Sequence, residues 1–364
     1  MKNGAPYVKR CFFGCNSAEG FRTFFDFLPR LDNARIIIVK GGPGTGKSTF
    51  IGSVGKAFAD RAYDLEYQHC SLDPQSYDAV VIPDIRAVVV AATGHHVFDP
   101  RNPGAVDEIL NLGEYWDAAA IRPHRREIIA INEASDRKFH KVYRLLKAAR
   151  LLLGNVEEVY AEKRDPREMD KIVKGIVAFL PEVDSSGGYG AARHAFISSI
   201  TPSGEIHNVA TVLRPDTRVV ALRGGPGSGR SPVLEKVGEE ARLRGLDVEF
   251  FHRPLDTNLL DHLYLPLPDL LVTTQPEALS GVRPLAAFDL GGHDVGDHGA
   301  RNADLLADKA RYGEMLREAV AVLADVKATH EQLERYYVPH MDFDEVDKRL
   351  RHTVEELLRH ATAA

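Results

Sequence analysis

Residues 34–50, ARIIIVKGGPGTGKSTF, decide how this chain is read. The β-branched run from Ala34 to Lys40 predicts a buried strand, because such side chains pack well on a pleated surface and lose χ1 freedom in a helix. Four glycines follow within six residues, Gly41, Gly42, Gly44 and Gly46, where the backbone must turn without side-chain hindrance. Beyond them Phe50, Val54 and Phe58 recur at helical spacing. Strand, glycine loop and helix in that order aim a row of backbone N–H groups and a helix N-terminus at one point. That point favours an anion. Lys47 adds a positive charge there, and Ser48 adds a hydroxyl able to ligate a divalent cation.

The stretch is repeated. GGPGTGKS at Gly41–Ser48 returns 183 positions later as GGPGSGRS at Gly224–Ser231. The offset holds without a gap from Gly41 to Pro83, where about 16 of 43 positions are identical; composition alone would give roughly three. DLEYQHCSLD (Asp64 to Asp73) matches DVEFFHRPLD (Asp247 to Asp256), and Asp78 and Pro83 match Asp261 and Pro266. With small shifts, RCFFGCNSAEG resembles HAFISSITPSG, Phe98-Asp99 answers to Phe288-Asp289, and YAEKRDPREMDK from Tyr160 answers to YVPHMDFDEVDK from Tyr337. The chain therefore divides into residues 1–184 and 185–364, joined at the turn-rich SSGGYG.

Each copy continues alike. DLEYQHC predicts a second strand, SLDPQSYD a turn and RAVVVAAT a third strand; TRVVALR, DVEFFHR and DLLVTT are the counterparts. Strands alternating with a helix imply parallel pairing through right-handed crossovers. Both copies then run into long helical patterns, Arg122 to Lys163 and Arg301 to Tyr337, each followed by a shorter one. The expected architecture is two tandem α/β cores, each a mostly parallel three-layer sheet trailing a helical hairpin. Packing of each hairpin on its own core is the first expectation; mobile lids, or arms that dimerise or hold a protein partner, are the other.

The motif G-x-x-x-x-G-K-[ST] between strand and helix resembles the P-loop NTPase superfamily, and at full length the chain is similar to a family of bacterial tandem P-loop proteins classed as ATPases. The resemblance implies Mg²⁺ and ATP as ligands. Gly42, Pro43, Gly44, Thr45, Gly46, Lys47, Ser48 and Thr49 would cradle the phosphates, with Ser48 on the metal. In the second copy Gly225, Gly227, Ser228, Gly229, Arg230 and Ser231 would do so, but Arg230 stands where the lysine belongs. A planar guanidinium is not equivalent to an ammonium at a tight phosphate site. The second loop is thus either a weak regulatory site or a structural relic.

One part of the pattern is missing. A Walker B strand ends in Asp or Glu, whereas the third strand ends Ala91-Ala92-Thr93-Gly94. Asp73, after the second strand, is the first substitute as a catalytic acid, and Asp99 the second; Asp84 is a third carboxylate in range. Turn formation or capping is the competing role for each. His69 and His252 recur at the end of the second strand, where a structural role competes with ligand contact, and His95-His96 follow the third strand. Cys11, Cys15 and Cys70 lack the paired spacing of a zinc site. Arg122, Arg125 and Arg126, with Lys138 and Lys141, form either lid arginines or a solvated face.

The net charge of −6 and pI near 6.2 argue against nucleic acid, for which the Arg122 cluster is the one local basic candidate, and no apolar run is long enough to span a bilayer. The N-terminus lacks a signal-peptide apolar core, and three cysteines make no disulfide framework, so a cytoplasmic home is expected. There is no N-K-x-D for guanine, and ALSGVRP reads as a loop because of Pro284. Three functions fit: an ATPase working at the first loop, a small-molecule kinase, or a nucleotide sensor without turnover.

Overall fold

A computed structural model describes residues 5–27, 35–92, 99–182, 188–291 and 301–363. In the first half, β1 (Val8–Phe12) and the hairpin β2 (Gly14–Ser17) and β3 (Gly20–Thr23) precede β4 (Arg35–Lys40) and α1 (Lys47–Ala59). Then come β5 (Leu65–His69), β6 (Tyr77–Ile82), β7 (Ala87–Ala91), β8 (Asp107–Asn111), α2 (Ala118–Ile121), α3 (Arg125–Ala161) and α4 (Pro166–Val177). The second half gives β9 (Ala192–Ala195), β10 (Ser198–Thr201), β11 (Gly204–His207), β12 (Arg218–Arg223), α5 (Arg230–Leu243) and β13 (Val248–His252). It ends with β14 (Leu260–Leu265), β15 (Leu270–Thr273), β16 (Ala286–Asp289), α6 (Arg301–Tyr337) and α7 (Phe343–Ala363).

The halves build two six-stranded sheets of matching order, β1-β5-β6-β7-β4-β8 and β9-β13-β14-β15-β12-β16. They are mixed rather than mostly parallel. β6 runs antiparallel to both β5 and β7, and β14 does the same in the second sheet. The reason is readable in hindsight: only Pro83 to Arg86 separate β6 from β7, and a parallel pair needs a crossover of about a dozen residues. Arg86 and Asp269 take φ of 52° and 58° to close these two turns. The glycine-loop strands keep parallel neighbours, β4 between β7 and β8 and β12 between β15 and β16.

The helical hairpins do not pack on their own cores. α3 has 37 residues, roughly 55 Å of helix, and carries the chain away from the core that precedes it. Its short successor α4 buries Ile172, Val173 and Ile176 in the second core, beside Val233 and Val237 of α5. α6 makes the opposite journey, and α7 buries Val346 and Leu357 in the first core beside Phe50 and Val54 of α1. The two long helices run antiparallel: Lys141 meets Glu318 at 2.7 Å, Lys138 donates to Thr329 at 2.6 Å, and Asn155 donates to Asp308 at 2.8 Å. Lys138 and Lys141 are thus ties of this helix pair.

The halves also meet edge to edge. The Phe12 N–H donates to the Phe196 carbonyl at 2.8 Å, bringing β1 beside β9. There Lys9 and Arg193 share Glu66 and Glu249, with Lys9 at 2.7 Å from Glu66 and 2.8 Å from Glu249. Burial works against each charge, but the opposed partners outweigh it: Lys9 is held above its ordinary range and Glu66 well below. Glu66 and Glu249 are the same position of the repeat, so the cluster sits at the pseudo-twofold relation between the halves.

Candidate functional site

The first glycine loop turns where the sequence requires. Gly41, Gly44 and Gly46 have φ of 152°, 67° and 83°, values that favour glycine. Gly46 is also the N-cap of α1, with no side-chain cap, so the helix N-terminus faces the loop. Thr45 Oγ1 donates to the Gly42 carbonyl at 2.9 Å and braces the turn. Lys47 folds back over it, its Nζ donating to the carbonyls of Gly41 at 3.1 Å and Gly42 at 2.5 Å. Burial pushes the Lys47 ammonium down to about 8, although Asp78 and Glu334 oppose the shift. Ser48 Oγ accepts the Tyr77 N–H at 2.9 Å, which ties the helix start to β6.

The loop floors a cavity of about 900 Å³. The strand-end loop from Cys70 to Asp73 and the start of β6 form one wall, and α3 contributes Asn132, Ser135, Asp136 and Phe139. The roof comes from the other half: His330, Leu333 and Glu334 of α6, then Val338 and Phe343. A Cβ built on Gly44 would lie 3.5 Å from the Glu334 Cα and 2.7 Å from Val338. One on Gly42 would meet Trp116 at 3.2 Å and Tyr337 at 3.4 Å. Gly42, Pro43, Gly44, Thr45, Gly46, Lys47, Ser48 and Thr49 all line the cavity together.

The carboxylates sort differently from their sequence ranking. Asp73 does line the cavity, but its Oδ1 is 2.9 Å from Lys327 of α6 and its Oδ2 accepts from Ser76 at 2.6 Å. Burial would raise its pKa; those two hydrogen bonds together hold it below the usual range. It is an anchor for the roof helix. Asp99 is not at the site: its side chain is 89% exposed, 3.9 Å from Lys40. Nor does it answer to Asp289. Asp289 pairs with Arg223 on β12 as Asn111 pairs with Lys40 on β4, so Asn111 is its counterpart. Both side chains accept the N–H two residues on, Gly113 at 3.0 Å and Gly291 at 2.7 Å. Asp84 is exposed beyond β6, at the opposite end of that strand from the cavity.

Asp78 is the acid that sequence reasoning passed over. It is buried at the start of β6, lines the cavity, and its charge bears on Lys47 and on the Cys70 thiol. Its recurrence as Asp261 was the available signal. The antiparallel course of β6 is what brings it to the loop end of the sheet, and a turn predicted over SLDPQSYD hid that course. His69 and His252 are structural. His69 Nδ1 lies 2.6 Å from the Pro74 carbonyl and Nε2 3.1 Å from Arg10; His252 Nδ1 lies 2.6 Å from the Thr257 carbonyl. Arg122, Arg125 and Arg126 are exposed, and none lines the cavity. His95 and His96 lie outside the described residues. The three cysteines are free, and among the described residues no three His, Cys, Asp or Glu side chains converge on a metal position.

The second loop keeps the backbone and loses the space. Gly224, Gly227 and Gly229 have φ of 156°, 76° and 102°, and Ser231 Oγ accepts the Leu260 N–H at 2.9 Å. Yet a Cβ on Gly227 would fall 2.1 Å from the Glu157 carbonyl oxygen of α3. The Arg164 Nε donates to the Gly227 carbonyl. Arg230 donates to the Thr274 carbonyl at 3.3 Å. Arg253, in the place of Cys70, sits 3.1 Å from Asp261 and 3.3 Å from Glu157. Gly225, Ser228 and Gly229 complete this loop, with Met169 of α4 2.9 Å from a Cβ on Gly229.

No protein family, curated protein or solved structure matches the chain. Among the described residues no helix is long and apolar enough to cross a membrane.

Proposed function

We propose that the first loop binds a nucleoside triphosphate, with Mg-ATP as the ligand, and that the protein hydrolyses it there as a P-loop ATPase. One observation carries the reading: a glycine loop with an uncapped helix N-terminus, Lys47 and Ser48 together line a cavity of about 900 Å³, within the size range of small-molecule sites. Backbone N–H groups and the Lys47 ammonium would hold the β- and γ-phosphates. Magnesium is usually held by one or two carboxylates, phosphate oxygens and water rather than by a protein cage. The Ser48 hydroxyl and the Asp78 carboxylate, both lining the cavity, fit that donor set. Bound there, the ion would neutralise phosphate charge. Asp78 replaces the strand-end acid that neither β7 nor β8 supplies, since they finish at Ala91 and Asn111.

The second loop is read as a structural element. Arg253, Glu157 and Asp261 satisfy one another over it, and the α3 backbone rests on Gly227. Three free cysteines suit a reducing compartment, so we place the protein in the cytoplasm.

The test is phosphate release from Mg-ATP, wild type against Lys47→Ala. Removing one preorganised charge from a phosphoryl-transfer site is expected to slow release at least about 100-fold, about 2.7 kcal/mol. Equal release by the two proteins would remove the first loop from the reaction.

A further inference from the structure

The roof over the first loop belongs to the second half, and one face of it is chemically loaded. Lys327, His330 and Glu334 follow one another at i, i+3 and i+7 on α6, so all three look the same way. Lys327 is pinned to Asp73 at 2.9 Å. One turn on, His330 lines the cavity with its Nε2 3.8 Å from Glu334 Oε1. A turn further, the Glu334 Cα is 3.5 Å from a Cβ built on Gly44, and the Glu334 carboxylate bears on the charge of Lys47.

The other loop supplies the contrast. The corresponding face of α3 carries Arg150, Leu153 and Glu157, found at the same spacing. Arg150 is bound to Asp256 as Lys327 is to Asp73. Glu157, however, is consumed by Arg150 at 3.0 Å and by Arg253 at 3.3 Å. At the first loop Cys70 stands in the place of Arg253, so Glu334 meets the cavity instead of a guanidinium. The side chain of Glu334 stays 41% exposed there.

Resting on the reading of the first loop as a triphosphate site, we infer that Glu334 is the proton acceptor of that site, donated by the second half, with His330 as the residue that positions it. A carboxylate beside a triphosphate is repelled by its oxygens and stands off by the width of a water. That is the place of a general base. The water oxygen forms a bond to the γ-phosphorus while the bond from that phosphorus to the β–γ bridging oxygen breaks. The nucleoside diphosphate leaves with the electron pair, and the water's proton passes to Glu334, which returns it to solvent. Asp73 then acts through Lys327, holding the helix that carries the base.

The experiment measures ATP affinity by calorimetry and phosphate release by single- and multiple-turnover kinetics, on the full chain. Glu334→Gln is expected to lower kcat at least about 100-fold, in the range of general-base catalysis, while ATP affinity stays within about threefold. Glu334→Asp should recover part of the loss. His330→Leu, which copies Leu153 at the matching place on α3 over the second loop, should lower kcat about tenfold without weakening ATP binding, and it tests the idea independently if Glu334→Gln misfolds. Wild-type turnover in Glu334→Gln, or ATP binding without any turnover in the wild type, overturns the inference. ATP binding that is indifferent to Lys47→Ala overturns the reading beneath it, a separate and distinguishable failure.

Discussion

The two glycine loops trace nearly the same backbone, with φ of 152°, 67° and 83° at the first and 156°, 76° and 102° at the second. Both helix starts are tied to the antiparallel strand, β6 or β14, by the same serine contact at 2.9 Å. What differs is the lining. Lys47 faces a cavity with Cys70, Asp78 and Glu334, whereas Arg230 shares its surroundings with Arg253, Asp261 and Glu157, already paired. A retained loop geometry therefore says that the chain can still make the turn. Whether a ligand fits depends on a residue one strand away. Arg253 for Cys70 alters the second site at least as much as Arg230 for Lys47, because it brings a large cation into the space and gives Glu157 and Asp261 a partner.

The sharpest break of this comparison is Asp261→Asn against Asp78→Asn. The first removes the buried carboxylate that pairs with Arg253 and, with Glu157 left as its partner, should cost about 1–3 kcal/mol of stability, read as a lower unfolding midpoint in urea. The second should leave the midpoint nearly unchanged and instead depress ATP turnover. The same midpoint shift in both would mean that both acids serve the fold alone.

The swapped helices give the next test. Leu357→Ala on α7 empties a fully buried position in the first core and should cost about 2–5 kcal/mol. Ile176→Ala on α4 should cost a similar amount in the second core. Only Leu357→Ala should also weaken ATP binding, since α7 packs on the helix that begins at Lys47. Arg230→Lys should leave ATP stoichiometry at one per chain in calorimetry, because Arg253 and Glu157 are untouched. A stoichiometry of two would return the second loop to the ligand sites.

The smallest effect is in pH. Lys47 is depressed to about 8, so the free protein holds it charged below that value and neutral above. ATP affinity should be level up to about pH 7, then fall about tenfold per unit above pH 8 as the ammonium must be recharged on binding. A flat profile to pH 9.5 would show that binding recharges no depressed lysine at this loop.

Much of this site was legible in the sequence. The strand before Gly41, the glycine positions and the helix after Ser48 follow from local rules of backbone freedom and periodicity. The repeat gave the second sheet from the first. Asp99 was misread because an alignment of Phe98-Asp99 with Phe288-Asp289 fixed on side-chain identity, where strand pairing selects Leu110-Asn111. Asp78 was missed because β6 reads as the tail of a turn until its four-residue link to β7 is counted.

Sequence alone determined the two loops, their flanking strands and the kinship of the halves, since these depend on residues within a few positions of one another. It could not decide which core each short helix covers. Each core offers an apolar face beside its glycine-loop helix, and α4 and α7 each carry an apolar stripe to cover one. The choice falls to geometry: a helix of 37 residues cannot double back in place, so α3 and α6 carry α4 and α7 across to the opposite cores. That exchange places Glu334 over Gly44 and Glu157 over Gly227. Tertiary structure thus decided which residues meet at each loop, Glu334 with Cys70 at the first and Glu157 with Arg253 at the second.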